Sequence, residues 1–352
     1  MRMKALKIAL AALVMAALVS QGVLSDEIWT ERKLTSGAGG HSPEVWGNTV
    51  YWVDSRLAQS GYEEIRAWDA ASGERVVMQV PLSQYTGLQS VYQDTLLYTK
   101  YVGSGDRDLY VWDPLLGERA ISIAPGYQYH ADIYGDTVVW EDRRGAKSQV
   151  YIWDPVNGER PISPTAYGQI RPRIWGDTVV WEDDRNGRRD VYMWNPRDGE
   201  RRLSTALFPM MSPAIYQDRV VMCVINDPYA PWNEPGIWEW TPQGGLSKVA
   251  EIFFWDVYDV VDTRLWGDLV VWQCGGGPSD VLAWDPVHGV NRVNQSALGA
   301  AFSPSLYGNT VAWTGYSDVY VSTLVPEPSG LVALLGWAGF LALARRRRLR
   351  RA

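Results

Sequence analysis

Seven copies of one unit, each holding four short apolar segments divided by turn residues, predict an all-β fold: a seven-bladed β-propeller of four-stranded blades. Two further observations support it. Tryptophan and tyrosine, 19 of each, far outnumber the five phenylalanines, and these rings favour strands while supplying large packing area. The apolar runs of the Val-Val-Trp type do not alternate with polar residues, as befits strands covered on both faces.

The unit is clearest where two copies adjoin. ADIYGDTVVWEDRRGAKSQVYIWDPVNGERPIS, from Ala131 to Ser163, is followed by RPRIWGDTVVWEDDRNGRRDVYMWNPRDGERRLS, from Arg171 to Ser204. Anchored on the residue before an Asp or Asn turn position, copies fall at Gly47, Gln93, Gly135, Gly176, Gln217, Gly267 and Gly308. The intervals are 46, 42, 41, 41, 50 and 41 residues.

In the copy anchored at Gly176, Arg171 to Trp175 reads as the first strand. Gly176-Asp177 is a tight hairpin turn, since Gly tolerates the positive φ that primed turns need. Thr178 to Trp181 is the second strand and Val191 to Trp194 the third. Asn195-Pro196-Arg197-Asp198-Gly199 is a turn with proline early and glycine late, and Glu200 to Ser204 is the fourth strand. The last copy stops at Thr323 without a fourth strand, whereas Trp29 to Ser36 precedes the first copy and matches one. The N-terminal strand is therefore expected to complete blade seven and remove the open sheet edges.

Tryptophan recurs in the second strand at 52, 140, 181, 272 and 313, and in the third at 68, 112, 153, 194, 240 and 284. It recurs just before the anchor at 46, 175 and 266. Packing between blades is the reading of these columns, with an aromatic platform for sugars as the alternative.

The sequences Tyr134-Gly135-Asp136-Thr137-Val138-Val139-Trp140-Glu141-Asp142, Val150-Tyr151-Ile152-Trp153-Asp154 and Gly158-Glu159-Arg160, with Ile162-Ser163, resemble TolB-like propeller repeats of bacterial and archaeal surface proteins. The resemblance spans roughly residues 29 to 323. It implies the fold and hardly any activity, because propellers host binding proteins and enzymes alike.

The two ends read as addresses. Arg2, Lys4 and Lys7, the apolar run Ile8 to Val19, and small residues before Asp26 form a signal peptide over 1–25, so the mature chain is exported. After the propeller (26–324), residues 325–352 hold Pro326-Glu327-Pro328, an apolar run from Gly330 to Ala344, and Arg345, Arg346, Arg347, Arg348, Arg350 and Arg351. The run is short for a span, which wants about 20 residues, and the arginine block would hold it on the cytoplasmic side. This tail resembles the PEP-CTERM sorting signal. The resemblance implies an exosortase and the secretion machinery as partners, in a Gram-negative bacterium that makes exopolysaccharide. It also implies initial anchoring in the inner membrane and delivery to the envelope, outer surface or extracellular matrix.

Without the nine basic residues of the ends, 24 basic residues face 40 acidic ones, a net charge of −16. That surface argues against nucleic acid or anionic lipid.

Because strands alternate in direction, the loops between second and third strands share a rim with the connections between blades. Two insertions, Asn226–Pro235 and Glu251–Thr263, fall on that rim. Tyr229, Trp232, Trp255 and Tyr258 are thus candidates for a recognition surface; the alternative is that these loops fold back on their own aromatics.

Chemistry-bearing clusters are sparse. His41, His130 and His288 occupy different places in different copies, without metal-ligand spacing. Glu182-Asp183-Asp184-Arg185-Asn186-Gly187 alternates oxygen donors like a calcium loop but starts with Glu and has Met193 where the closing Glu belongs. It reads as a turn with local Asp–Arg pairing, with calcium as the alternative and no other cofactor expected. Cys223 and Cys274 suggest a disulfide in an exported protein, while their offsets of six and seven from the anchors start their side chains on opposite strand faces. No catalytic residue stands out. The expectation is a non-enzymatic binding or structural module of the envelope or exopolysaccharide matrix. A propeller-type polysaccharide lyase is the alternative, and the dispersed histidines count against it.

Overall fold

The computed structural model describes residues 28–325 apart from 38, 85, 103–105, 205–208, 225–233, 252–258, 276–278 and 296–300. Residues 31–322 form one compact unit. The ends, 1–30 with 323–352, form another, of which 28–30 and 323–325 are described; there the Val325 amide donates to the Ile28 carbonyl at 2.8 Å.

Seven four-stranded antiparallel sheets follow one another along the chain. The innermost strands are Gly40–Trp46, Thr86–Tyr92, Gln128–Tyr134, Gln169–Trp175, Met211–Tyr216, Asp259–Trp266 and Ala301–Tyr307. Each packs beside the next, and the last packs beside the first, so the blades form a ring. Blade seven is made from both ends of the unit: Trp29–Lys33 is its outer strand, beside Asp318–Leu324. The Leu34 amide donates to the Val319 carbonyl at 2.8 Å, and Thr35 Oγ1 donates to Asp318 Oδ1 at 3.0 Å while accepting from the Val319 amide at 2.9 Å. Lys33 Nζ lies 2.5 Å from Asp318 Oδ2. The expected closure by the N-terminal strand is thus present, in chemical detail.

The tight turns are as the repeat requires. All seven anchors, from Gly47 to Gly308, have φ between +54° and +61°, whereas the Asp or Asn that follows does not take positive φ. This is the type II′ arrangement, which wants glycine at its first central position. Gln93 and Gln217 adopt it with a side chain, which strains them. In the turn before the fourth strand, the Asp154 carboxylate accepts from the amides of Val156 and Asn157 at 3.0 and 2.8 Å. Asp69, Asp113, Asn195 and Asp285 cap the same turn in other blades.

The second-strand tryptophans are the interblade wedges. Trp52, Trp140, Trp181, Trp272 and Trp313 are fully buried. Trp140 packs on Leu97 and Leu109 of blade two, Trp181 on Val139 and Val150 of blade three, and Trp52 on Ala312 and Val319 of blade seven. Trp52, Trp140 and Trp181 donate through Nε1 to the Asp two residues on, at 3.0, 2.9 and 3.3 Å. Each of those carboxylates is in turn forked by an arginine, Arg56, Arg144 or Arg185. Blades six and seven carry Cys274 and Gly315 at the Asp position, and there Nε1 of Trp272 and Trp313 makes no hydrogen bond.

Relieving the strained turns should stabilise the ring. A non-Gly residue at positive φ costs about 1–2 kcal/mol and glycine's extra chain entropy returns roughly half of that. Gln93→Gly and Gln217→Gly are each expected to raise the urea midpoint by an amount equivalent to about 0.5–1 kcal/mol. Gly135→Ala, where a Cβ meets no atom within 4 Å, should lower it by about 1 kcal/mol through the backbone alone.

Candidate functional site: the central tunnel

Each inner strand breaks register once against its neighbour, as between Tyr129 and Asp132 or between Ile170 and Arg173. In six blades the break centres on a residue at φ near +50°: Ser42, His130, Arg171, Ser212, Asp262 and Ser303. Proline follows in four of them, at Pro43, Pro172, Pro213 and Pro304. A bulge of this kind re-aims the side chains that come next. Those side chains line the tunnel in two layers.

The layer beside the tight turns is aromatic. Trp46, Tyr92, Tyr134, Trp175, Tyr216, Trp266 and Tyr307 stand one residue before the anchors and contact each other in sequence around the ring. Their centroid separations run from 3.9 to 5.0 Å. Trp266 also meets Trp175 and Trp46 across the axis, edge-on, at 5.5 and 6.3 Å. This circle floors the tunnel. The reading of Trp46, Trp175 and Trp266 as packing between blades therefore needs refinement, because these rings meet around the central axis.

The layer above is polar and lies in a recess of about 110 Å³. From blade one to blade seven it presents Glu44, Ser90, Asp132, Arg173, Ala214, Arg264 and Ser305. Acids on blades one and three flank Ser90, while arginines on blades four and six flank Ala214. Asp132 accepts from Ser90 Oγ at 2.7 Å and from the Ile174 amide at 3.0 Å, tying three blades together. Glu44 accepts from Ser305 Oγ at 2.7 Å, and that hydroxyl accepts from the Val45 amide at 3.0 Å. Burial pushes the Glu44 carboxyl up to about 7, although Arg264 and the Ser305 hydroxyl pull the other way. Burial, and next the neighbouring Arg264, lowers the Arg173 guanidinium. Partial desolvation opposes ionisation of Asp262, yet Arg264 and Arg173 outweigh that and hold it below the usual carboxylate range.

The mouth lies on the loop rim, where loops between second and third strands bond the blade connections: Arg143 to Tyr127, Gln169 to Ser148, Asp184 to Gly168. Tyr229, Trp232, Trp255 and Tyr258 lie outside the described residues, as do Pro326, Glu327, Pro328 and the terminal arginines. Among the described residues no helix is long and apolar enough to cross a membrane. Cys223 is buried, with Sγ 3.2 Å from Thr263 Oγ1 of the next blade. Cys274 pairs along the backbone with Val260 and Asp280, and its side chain lies outside the described set.

The Glu182–Gly187 donors diverge. Glu182 accepts from the Ser212 amide of the next blade, Asp183 is forked by Arg185, Asp184 accepts from the Gly168 amide, and Asn186 donates to Asp190. Among the described residues no three His, Cys, Asp or Glu groups gather as a metal site. His130 Nδ1 lies 2.9 Å from Glu141, His288 bonds Asp285 within its turn, and His41 lies by Ser42.

No family model matches this sequence, and no curated protein matches it. The fold is similar to solved propeller structures. One of two prolyl endopeptidases shares 13% identity at a TM-score of 0.58, over 83% of this chain and 50% of that one. The Pyrococcus horikoshii acylaminoacyl peptidase shares 13% at 0.58, over 84% and 53%. The β-propeller domain of the Trilobed protease from Pyrococcus furiosus shares 11% at 0.56, over 78% and 90%. The chain spans about half the length of the two peptidases. These likenesses show a shared propeller fold and nothing of activity. That protease domain is described as having an open velcro topology, whereas here the N-terminal strand closes blade seven.

The raised Glu44 carboxyl has a sign that can be checked. The folded state holds this proton more tightly than the unfolded chain, so its contribution to stability falls as pH rises from about 4.5 to about 7 and is flat above. Glu44→Gln should gain stability relative to the parent across that window, by up to about 3 kcal/mol. Urea melts of both proteins at pH 4.5, 6 and 8 would show it, and a constant difference would contradict it.

Proposed function

We propose that this chain is a non-enzymatic, exported binding module, sorted by an exosortase to the cell envelope or the exopolysaccharide matrix. The observation that carries the binding half is the tunnel: a polar recess open on the loop rim and floored by seven aromatic rings. Concave sites with a few convergent polar groups are where proteins hold ligands. The loop insertions bearing Tyr229, Trp232, Trp255 and Tyr258 fall on that rim by the alternation of strand direction. Sorting rests on Pro326-Glu327-Pro328, the apolar run and the terminal arginines. In the same reading Cys223 and Cys274 are bridged after export, which a two-dalton mass difference on reduction would reveal.

The 26–324 ectodomain, screened on an array of bacterial polysaccharides, should bind at least one saturably. Trp232→Ala with Trp255→Ala should weaken that binding about tenfold or more, the size of a truncated aromatic anchor. Binding to no glycan would leave an inert scaffold, and ultraviolet absorbance of an unsaturated product would make the protein a lyase instead. In an exosortase-bearing host, deleting 326–328 should leave an unprocessed, membrane-retained chain; processing that continues unchanged would remove the sorting half.

A further inference from the structure

Several arginines in this protein are forked onto carboxylates. Arg56, Arg144 and Arg185 each hold an Asp at 2.6–2.9 Å, and Arg219 donates through Nε to Glu239 at 2.6 Å. The two tunnel arginines differ. The side-chain hydrogen bonds of Arg173 and Arg264 go to the carbonyls of Pro172 and Thr263, both at 3.3 Å. Asp262 Oδ1 stands 3.7 Å from each guanidinium, and Glu44 is 3.9 Å from Arg264, beyond hydrogen-bond reach. Asp132 already accepts from Ser90 and Ile174. Two planar donor groups on alternate blades thus share one recess, with only the methyl of Ala214 on the blade between them.

We propose that Arg173 and Arg264 form a site for a small carboxylate anion, seated over Ala214 above the aromatic floor. Asp262 and Asp132 offset the two guanidinium charges, yet neither accepts a hydrogen bond from them, so what a ligand adds is the acceptor pair that the two donor edges lack. A carboxylate matches the planar donor edge of each arginine. The groups facing Glu44 are Arg264, Arg173, Asp132 and the Ser305 hydroxyl. Protonated, Glu44 leaves Arg264 to the ligand; ionised, it competes, so binding is tighter at pH 6 than at pH 8. The recess holds either a free small acid or the carboxylate of an acidic sugar, and both present the same group to the arginines.

Calorimetric titration of the 26–324 ectodomain with sodium acetate at pH 6, against sodium chloride at equal ionic strength, tests the site, with tryptophan fluorescence following the floor. Saturable millimolar binding is expected, weaker at pH 8. Losing a charge-assisted donor pair should weaken it about tenfold or more in Arg173→Gln and Arg264→Gln. Asp262→Asn removes a competitor and should tighten it. Arg264→Lys, which keeps the charge without the fork, should fall between parent and Gln, and serves if the Gln variants do not fold. Glucuronate binding with the same arginine dependence supports a sugar-borne carboxylate, and acetate alone a free acid. No saturable binding of either, the same affinity in all variants, or phosphate bound in place of acetate would overturn the assignment. None of these outcomes depends on sorting or on the loop-rim aromatics, so failure of that surface leaves this site standing.

Discussion

Closure of the ring is the constraint on which the other features rest. A propeller blade buries both faces only if it has a neighbour on each side, so an incomplete blade seven would expose Trp313 and the blade-one wedge, Trp52. The chain meets this demand by giving blade seven an outer strand from its N-terminal end. The bonds that hold that strand are unlike those of a plain ladder: Thr35, Gly37 and Lys33 all converge on the one carboxylate of Asp318. Burial opposes its ionisation, yet the Lys33 and amide hydrogen bonds keep it below the usual carboxylate range. One side chain thus anchors a junction between residues nearly 300 positions apart.

Between blades, the same physics recurs with local variation. The wedge tryptophan fills the gap, its indole donates to an Asp two residues on, and that Asp is neutralised by an arginine whose other partner is the Glu of the fourth strand, as in Arg185 with Glu200. Arg144 and Arg185 also lie over Tyr151 and Tyr192 at 4.3 and 4.2 Å, so the charge is sandwiched between a carboxylate and a ring. Where the Asp is missing, in blades six and seven, the indole goes unbonded and packing alone holds the wedge. Copies therefore differ in polar stapling while keeping the same apolar contact.

The ring, the four strands of each blade and both turn types were legible in the sequence because each repeats and has a residue-level cause, and the closure because the last copy lacks the fourth strand that Trp29 to Ser36 supplies. The Trp-Glu-Asp-Arg-Arg run at 140–144 is wedge and turn chemistry: Trp140 donates to Asp142, which Arg144 forks. The tunnel was not read, although its signal is there: every copy has an aromatic residue immediately before the anchor and a tunnel residue two positions earlier. Counting tryptophans alone hid this, because four of the seven floor rings are tyrosines. The polar layer escaped for the opposite reason. Glu44, Ser90, Asp132, Arg173, Ala214, Arg264 and Ser305 share a position but no residue type, and a search for sameness passes over a column whose function lies in its differences. The bulge that aims them is also cryptic, since positive φ falls on Ser, His, Arg and Asp, with Pro after it in only four blades.

The dependence on closure can be measured directly by removing residues 26–36 and comparing unfolding and hydrogen exchange with the intact 26–324 ectodomain. Loss of the outer strand should broaden or abolish the single cooperative transition. It should also strip protection from the amides of Asp318 to Ser322 and, through the Trp52 interface, from blade one. A truncated protein that unfolds in one sharp transition at an unchanged midpoint, with those amides still protected, would show that the ring holds without its junction.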